Sequence, residues 1–208
     1  MIEGFKDTID WYDRNAQKYA ESARVVPEQA IESFLELMPP DPRVLDAGSG
    51  SGRDSRAFNA RGARVVGADV SEGLLDVARR DIPDVEFVHG DFRALPFEDA
   101  VFDGVWSRAS LVHLETVADV EKSLSEFHRV LKPEGVLYIY VKLQTGESET
   151  AVVSDTLSGH DRFFRYYTNE SLTLMLEKVG FSILETRYVE DEYGRREVRW
   201  LELMARKV

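Results

Sequence analysis

A short apolar strand runs into three alternately spaced glycines in Arg43-Val44-Leu45-Asp46-Ala47-Gly48-Ser49-Gly50-Ser51-Gly52. Glycine lets the backbone turn sharply and brings bare N–H groups against a ligand. Helical character resumes at Asp54, so the turn opens onto a helix N-terminus with its partial positive charge. The segment predicts either a nucleotide-type cofactor site at the head of an α/β sheet or an ordinary tight strand–helix turn.

The spacing of the glycines separates two classes of cofactor. The dinucleotide fingerprint G-x-G-x-x-G places a small residue at the third position, where the helix packs on the strand. This chain has Arg53 there and reads Asp46-x-Gly48-x-Gly50-x-Gly52 instead. The sequence therefore disfavours a nicotinamide-linked dehydrogenase more than any other candidate function.

The next two strands each end near a carboxylate. The second strand of the chain is Arg64–Asp69. Its last residue, Asp69, stands roughly 20 residues beyond the glycines, where a βαβ unit places its ribose-binding acid. Its two acceptor oxygens suit a ribose diol and would repel a 2′-phosphate. Asp69 could instead cap the next helix, although Ser71 suits that role better. Val85–His89 forms the third strand, and Gly90-Asp91-Phe92 after it fits an adenine site or a common turn.

The order of these features resembles the class I S-adenosylmethionine-dependent methyltransferases, and in particular their small type-11/25-like members. The segment Phe102-Asp103-Gly104-Val105-Trp106-Ser107 is similar to motif IV of that family. The segment Leu131-Lys132-Pro133-Glu134-Gly135, with the strand after it, is similar to the next conserved block. The resemblance covers about residues 40 to 145. It implies a Rossmann-like three-layer α/β sandwich, with a mostly parallel seven-stranded sheet that ends in an antiparallel C-terminal hairpin.

The same resemblance implies S-adenosylmethionine as cofactor, with S-adenosylhomocysteine as product. It assigns the glycine turn to the methionine part, Asp69 to the ribose and Asp91 to the adenine, and it places Ser107 beside the methionine part. The residues expected to bind the cofactor are Asp46, Gly48, Ser49, Gly50, Gly52, Asp69, Val70, Asp91, Phe92, Ser107 and Tyr19.

Catalytic and acceptor-binding candidates follow from position and residue type. His113 comes after the fourth strand and is the candidate general base, with a structural histidine as the alternative. Arg108 could clamp an anionic group or pair with a surface acid. Tyr12 and Tyr19 resemble a Tyr-x-x-x-Ala-x-x-Tyr pattern that precedes the glycine motif in small methyltransferases, although helix packing explains the same spacing. The residues expected to bind the acceptor are Tyr12, Arg108, Arg165 and Tyr167.

We expect residues 1–208 to form one methyltransferase domain. N-terminal helices over residues 1–40, including helices at Phe5–Val25 and Pro27–Met38, should close the site, and residues 41–145 should form the cofactor-binding core. Residues 146–208 should supply a lid loop, a last helix at Thr168–Val179 and a hairpin turning at Gly194. The loop is expected to span Lys142–His160, because Thr, Ser, Glu and Gly are frequent there without periodicity.

The amino-acid composition limits the classes of partner that we expect the protein to bind. The chain has 208 residues, 43% of them hydrophobic, no cysteine and a formal net charge of −12. A chain so acidic repels polyanions, which makes nucleic acid an unexpected partner. Arginines near the C-terminus are the local exception and are expected on solvated hairpin faces; they are Arg187, Arg195, Arg196, Arg199 and Arg206. We expect no metal site, no membrane span and, by default, a cytoplasmic location.

These observations favour methyl transfer to an O or N atom of a small-molecule acceptor. A second possibility is an RNA or protein methyltransferase that acts with a partner subunit; a homodimer is equally open. A third is a non-catalytic scaffold that binds S-adenosylmethionine. The intact acids Asp46, Asp69 and Asp91 argue against the scaffold, because a protein that only keeps the fold has no need of all three.

Overall fold

The computed structural model of the protein describes residues 4–154, 161–191 and 198–208. The helices are α1 Phe5–Ser22, α2 Glu28–Leu35, α3 Arg53–Asn59, α4 Glu72–Asp81, α5 Val117–Val130 and α6 Asn169–Val179. The strands are β1 Arg43–Ala47, β2 Arg64–Asp69, β3 Glu86–His89, β4 Phe102–Arg108, β5 Leu131–Lys142, β6 Thr150–Ser154, β7 Asp161–Arg165, β8 Phe181–Glu190 and β9 Arg199–Lys207. A 3-10 turn at Leu111–His113 follows β4. Within these ranges, no helix is long and apolar enough to cross a bilayer.

Seven strands form one mixed sheet in the order β3-β2-β1-β4-β5-β9-β8. The pairs from β3 to β5 are parallel, while β9 runs antiparallel to both β5 and β8. This confirms the predicted mostly parallel sheet with an antiparallel C-terminal hairpin. The chain winds from β1 outward to β2 and then returns to β4 on the other side of β1. In such sheets a ligand binds at the carboxyl ends of the strands where the order reverses, which in this sheet is between β1 and β4.

An aromatic cluster fills the core beneath the central strands. The Trp106 ring of β4 stacks on Tyr138 of β5 at 3.6 Å and 6°, and Phe34 of α2 meets Trp106 edge-on at 5.3 Å. A Cβ at Gly104 would lie 2.6 Å from the Met38 sulfur, so the glycine is what lets this part of the chain approach β4. The packing holds β4 firmly against its neighbours, and β4 leads directly into the turn that carries His113.

Helix boundaries follow local capping chemistry. Ser71 caps α4, its hydroxyl accepting the Leu74 N–H at 3.2 Å, as predicted from the sequence. Thr168 caps α6 and Gly180 ends it with φ 105°, which confirms the predicted last helix. Helix α1 ends at Ser22, three residues before the predicted end.

The prediction of a loop over Lys142–His160 was wrong in part. Thr150–Ser154 is a strand, β6, and it pairs antiparallel with β7 in a separate two-stranded sheet. The β-branched side chains of Thr150, Val152 and Val153 favour extended backbone, which the polar composition of the segment obscured. Residues 155–160 lie outside the described part of the chain, as do Gly194, Arg195 and Arg196.

Candidate active site

The glycine turn between β1 and α3 has left-handed backbone at each of its three glycines. Their φ angles are 85° at Gly48, 54° at Gly50 and 81° at Gly52. The N–H groups of Gly48 and Ser49 donate to the carbonyl of Ala68 at 2.8 and 3.1 Å, which fastens the turn to β2. A residue with a Cβ pays about 1–2 kcal/mol for this conformation, so the backbone geometry explains why all three positions are glycine.

Two of these glycines have different surroundings. A Cβ built at Gly52 would lie 2.6 Å from Ile82 Cδ1 and 2.8 Å from Phe87 Cζ, inside the protein. A Cβ built at Gly50 would meet only Leu74 and Tyr19, at 3.8 and 4.0 Å. Gly50 therefore leaves open space on the ligand side of the turn, whereas Gly52 permits close packing of α3 on the sheet.

Asp69 at the end of β2 is joined to the turn by a hydrogen bond. Its Oδ2 accepts the Gly50 N–H at 2.8 Å, and its Oδ1 accepts the Ser71 N–H at 2.9 Å. Burial raises the pKa of Asp69 above its usual range, against the stabilising effect of those two hydrogen bonds. The carboxylate thus fixes the turn and still borders a cavity of about 70 Å³, which Val70 and Phe92 also line.

A larger cavity of about 460 Å³ adjoins the smaller one. It lies between the glycine turn, α1, the turn after β4, and the ends of β5, β7 and β9. We call it the cleft. The residues that line both the cleft and the smaller cavity are Tyr12, Tyr19, Gly48, Gly50, Arg108, Ala109 and His113. Most predicted cofactor residues and two of the four predicted acceptor residues therefore surround one continuous region.

Asp46 and Asp54 are two buried carboxyls on the cleft. Asp46 Oδ2 accepts the Ser55 hydroxyl at 2.6 Å, while Asp54 accepts from Arg53 Nε at 2.6 Å and from Trp106 Nε1 at 3.0 Å. Burial, and then the neighbouring Asp54 charge, raise the pKa of Asp46 to about 7. Burial acts on Asp54 in the same sense, but the opposing arginine charges outweigh it and its net pKa is lowered.

Sequence reasoning did not single out Asp54. The available signal was its position, an acid in the first turn of the helix that the glycine turn opens. Its indole partner lies 52 residues away in the chain, so the local sequence carries no sign of that contact.

His113 lies on the cleft within a chain of hydrogen bonds. Its Nδ1 is 3.0 Å from the Phe163 carbonyl, which can only accept, so Nδ1 carries the proton. Its Nε2 then accepts from the Tyr12 hydroxyl at 3.2 Å, and Tyr12 in turn accepts from Arg162 Nη1 at 3.0 Å. Burial lowers the pKa of His113 to about 3. The imidazole is therefore neutral near pH 7, and its role as a base stays a prediction.

Two predicted acceptor residues, Arg165 and Tyr167, do not line either cavity. Tyr167 is 2% exposed and donates to the Leu111 carbonyl at 2.8 Å. Arg165 donates to the carbonyls of Leu114, at 3.2 Å, and of Glu115. Both side chains therefore hydrogen-bond backbone carbonyls in or directly after the 3-10 turn that carries His113. The prediction that they bind the acceptor is corrected accordingly.

Three predicted cofactor residues also lie outside the cavities: Gly52, which packs against Ile82 and Phe87, and Ser107 and Asp91. Ser107 Oγ is 2.7 Å from Ser110 Oγ, which donates to the Ala47 carbonyl at 3.0 Å and itself borders the smaller cavity. Asp91 is bound by Arg93 at 2.6 Å. Partial burial raises the pKa of Asp91, but the hydrogen bonds from Arg93 outweigh it and the net pKa is lowered. Ser107 ties β4 to β1, and Asp91 reaches the cavity only through its neighbour Phe92.

The chain is similar in sequence to known methyltransferases. Residues 45–139 match the family model described as Methyltransferase domain. Demethylmenaquinone methyltransferase of Clavibacter sepedonicus is 46% identical over 100 residues, which are 47% of this chain and 40% of that protein. Malonyl-[acyl-carrier protein] O-methyltransferase of Serratia marcescens is 39% identical over 98 residues, or 47% of this chain and 37% of that protein. The match thus spans about two fifths of these relatives' length.

Solved structures extend the likeness to most of the chain. An S-adenosylmethionine-dependent methyltransferase from Methanosarcina mazei has a TM-score of 0.77 at 22% identity, covering 86% of this chain and 97% of its own. The 1,6-didemethyltoxoflavin-N1-methyltransferase of Burkholderia thailandensis, with bound 1,6-didemethyltoxoflavin and S-adenosylhomocysteine, has a TM-score of 0.76 at 25% identity and covers 98% and 87%. The glycine turn, the strand order and the sequence match over residues 45–139 thus all make this chain similar to the class I S-adenosylmethionine-dependent methyltransferases.

Proposed function

We propose that this protein transfers a methyl group from S-adenosylmethionine to an O or N atom of a small-molecule acceptor. The observation that carries the proposal is the cleft of about 460 Å³ at the carboxyl ends of β1 and β4. One part is bounded by the glycine turn and the two buried acids. Another part is bounded by aromatic and basic side chains of α1, β5, β7 and β9, which leaves room for a second molecule beside the cofactor.

The residues present fit the cofactor. Ser49 Oγ lines the cleft, is buried and has no hydrogen-bond partner among the described residues, as expected of a group that awaits a polar ligand. Gly50 contributes no side chain where a ligand would approach the backbone. Asp46 and Asp54 suit the ammonium of the methionine part, and Asp69 suits the ribose diol. Each of these assignments is part of the proposal.

The adenine end of the cofactor is assigned to the smaller cavity. Val70 and Phe92 line it and would contact the two faces or edges of the ring. Asp91 would bind the exocyclic amine only with the acceptor capacity that Arg93 leaves, so we expect a weaker contribution from Asp91 than from Asp69.

Methyl transfer requires the protein to align the acceptor with the methyl group and to keep water out of the site. When bound, S-adenosylmethionine supplies an electrophilic methyl group on its sulfonium. Tyr12 and Tyr19 of α1 line the cleft, and in this proposal their rings keep water from the reacting atoms. Alignment of the acceptor can lower the barrier by about 7 kcal/mol or more. Where the acceptor must lose a proton, the Tyr12 hydroxyl can take it while passing its own to His113 Nε2. General-base catalysis contributes roughly 10²- to 10⁴-fold when the pKa of the base lies near the operating pH, and the lowered pKa of His113, about 3, sets its contribution at the lower end of that range.

Residues 1–208 act as one methyltransferase domain in this proposal. Residues 1–40 close the site, residues 41–145 bind the cofactor, and residues 146–208 complete the acceptor side through β6, β7 and the hairpin. A basic nucleic-acid surface is not favoured by the described C-terminal cations. Arg187 pairs with Glu185 at 2.7 Å, and the Lys207 ammonium donates to two backbone carbonyls at 2.7 Å. A cytoplasmic location stays a prediction from the sequence.

Calorimetric titration tests the cofactor assignment first. Purified protein is titrated with S-adenosylmethionine, S-adenosylhomocysteine and NAD, and we expect the two sulfur compounds to bind and NAD not to bind. Transfer of a labelled methyl group to a panel of small acceptors then tests the reaction. Absence of binding by both sulfur compounds would refute the proposal, and binding without transfer to any acceptor would favour the scaffold.

A further inference from the structure

Cations and aromatic rings alternate where β5, β7 and β9 border the cleft. Lys142 at the end of β5 is 7% exposed, and its Nζ lies 3.3 Å from the centroid of the Phe164 ring. The Arg162 guanidinium lies 5.4 Å from the same ring. Trp200 of β9 stacks on Tyr140 at 4.5 Å and 12°. We call these five residues the acceptor wall. Flat apolar surface and positive charge therefore meet within one part of the cleft.

The charge of the cleft is opposite to that of the chain. The whole sequence has 38 acidic and 26 basic residues. Among the described residues that line the cleft, five are basic and two are acidic. Asp54 lies 2.6 Å from Arg53 and 3.9 Å from Arg108, so these charges offset one another, and Lys142 and Arg162 are the basic side chains of the cleft beside the aromatic rings. A cleft lined mainly by basic side chains favours ligands of the opposite charge.

The names of the relatives do not identify the acceptor of this chain. They include demethylmenaquinone, malonyl-[acyl-carrier protein] and 1,6-didemethyltoxoflavin, which differ in chemistry. The acceptor of this chain has to be inferred from the side chains that would touch it. A guanidinium and an ammonium suit a carboxylate or a related oxyanion, and stacked rings suit a planar body.

We propose that the acceptor is an organic anion with a flat apolar body, held by Lys142 and Arg162 against the rings of the acceptor wall. The inference rests on the proposed methyl transfer and deepens it by naming the class of acceptor. It excludes cationic amines as preferred acceptors, because the same side chains repel them. Both the anionic group and the planar body are required. A ligand with only one of them would leave either the cations or the rings of the acceptor wall without a complementary group.

A matched pair of probes tests both requirements. 2-Naphthoate and 2-naphthamide share one flat body and differ in charge, and each is titrated calorimetrically into protein saturated with S-adenosylhomocysteine. We expect naphthoate to bind about 10-fold more tightly or better, the range for a hydrogen bond to a charged partner. Lys142→Met keeps the length of the side chain and removes its charge, and it should bring the two affinities together.

Lys178→Met is the matched control. Lys178 lies on α6, pairs with Glu121 and has a side chain 68% exposed, so its loss removes the same charge from the chain away from the cleft. This variant should keep the preference for naphthoate. Arg162→Gln is the second cleft variant, which keeps the test decisive if Lys142→Met does not fold.

The titration with S-adenosylhomocysteine separates the two proposals. Failure of S-adenosylhomocysteine to bind the unaltered protein would refute the proposed function itself. If it binds, equal affinities for naphthoate and naphthamide would overturn the inference about the acceptor, and so would tighter binding of 2-naphthylmethylammonium. No detectable binding of naphthoate at millimolar concentration would overturn it as well. A preference that survives in both cleft variants would show that Lys142 and Arg162 do not create it.

Discussion

Two glycines of the same turn should fail in different ways when each becomes alanine. Gly50 and Gly52 both have left-handed backbone, with φ of 54° and 81°. An added methyl at Gly50 meets only Leu74 and Tyr19 at ordinary contact distance and projects into the ligand region. An added methyl at Gly52 would overlap Ile82 at 2.6 Å inside the core. The first substitution should therefore damage binding, and the second should damage folding.

The expected magnitudes follow from these contacts. Left-handed backbone costs an alanine about 1–2 kcal/mol at either position. Gly52→Ala adds an overpacking cost of about 1–3 kcal/mol, which brings its loss of folding free energy to roughly 2–5 kcal/mol. Gly50→Ala adds no clash within the protein but places a methyl group where S-adenosylhomocysteine must pass. We expect its affinity for that ligand to fall about 10-fold or more, equivalent to about 1.4 kcal/mol.

Urea denaturation and calorimetry measure the two effects separately. The free energy of unfolding is determined without ligand for each variant, and S-adenosylhomocysteine is then titrated under conditions where the variant is folded. Gly52→Ala should show the larger loss of stability and nearly unaltered affinity in its folded fraction. Unaltered affinity in Gly50→Ala would refute the assignment of the turn to the cofactor. Equal losses of stability in both variants would refute the packing argument.

Three further predictions concern the acids and the histidine. Asp69→Ala should weaken S-adenosylhomocysteine binding by about 1–3 kcal/mol, whereas Asp76→Ala, at an exposed acid of α4, should leave it unaltered in the same titration. His113→Ala should lower turnover on the order of 10²-fold with little effect on S-adenosylhomocysteine affinity; full activity would leave His113 structural. Because the folded-state pKa of Asp46 is raised from 3.8 to about 7, the folded protein binds this proton more strongly than the unfolded chain does. Its contribution to stability is therefore lost as pH rises from about 4 to about 7, and urea titrations of Asp46→Asn should show a smaller decline over that range.

The local geometry of the proposed cofactor half could be predicted because its signals are local in the sequence. The turn from Gly48 to Gly52 shows in the chain as three glycines, since each occupies backbone that other residues avoid. Asp69 and Ser71 follow directly from the end of β2, and the structure places both against the turn or the next helix. The mostly parallel sheet with its antiparallel hairpin was predicted from the resemblance to the methyltransferases, whereas the order of its strands was not predicted. Short-range patterns of this kind predict structure well, because residues that are close in the sequence are also close in the folded protein.

The acceptor half could be predicted only in part, because its contacts join distant segments. Tyr12 and His113 are separated by 101 residues, and His113 and Phe163 by 50. The string from Phe163 to Tyr167 has the same composition whether it forms a loop or a strand. The pairing of β7 with β6 turns Arg165 away from the cleft and leaves Phe164 on it, whereas Tyr167 lies beyond β7 in a bridge with Leu143.

One network of hydrogen bonds connects the closing helix with the cofactor half. Gly50 and Ser71 both donate to Asp69, and the Ser71 hydroxyl donates to Asp13 of α1 at 2.6 Å. Asp13 also accepts the Gly73 N–H at 3.0 Å, and a Cβ at Gly73 would lie 2.6 Å from the Asp13 carbonyl oxygen. The helix that carries Tyr12 is thus fixed through the same serine that caps α4. The position of Tyr12 on the cleft therefore depends on the same hydrogen bonds that hold the glycine turn. In the proposed reaction, a change in the glycine turn would thus reach the acceptor side through packing and hydrogen bonds.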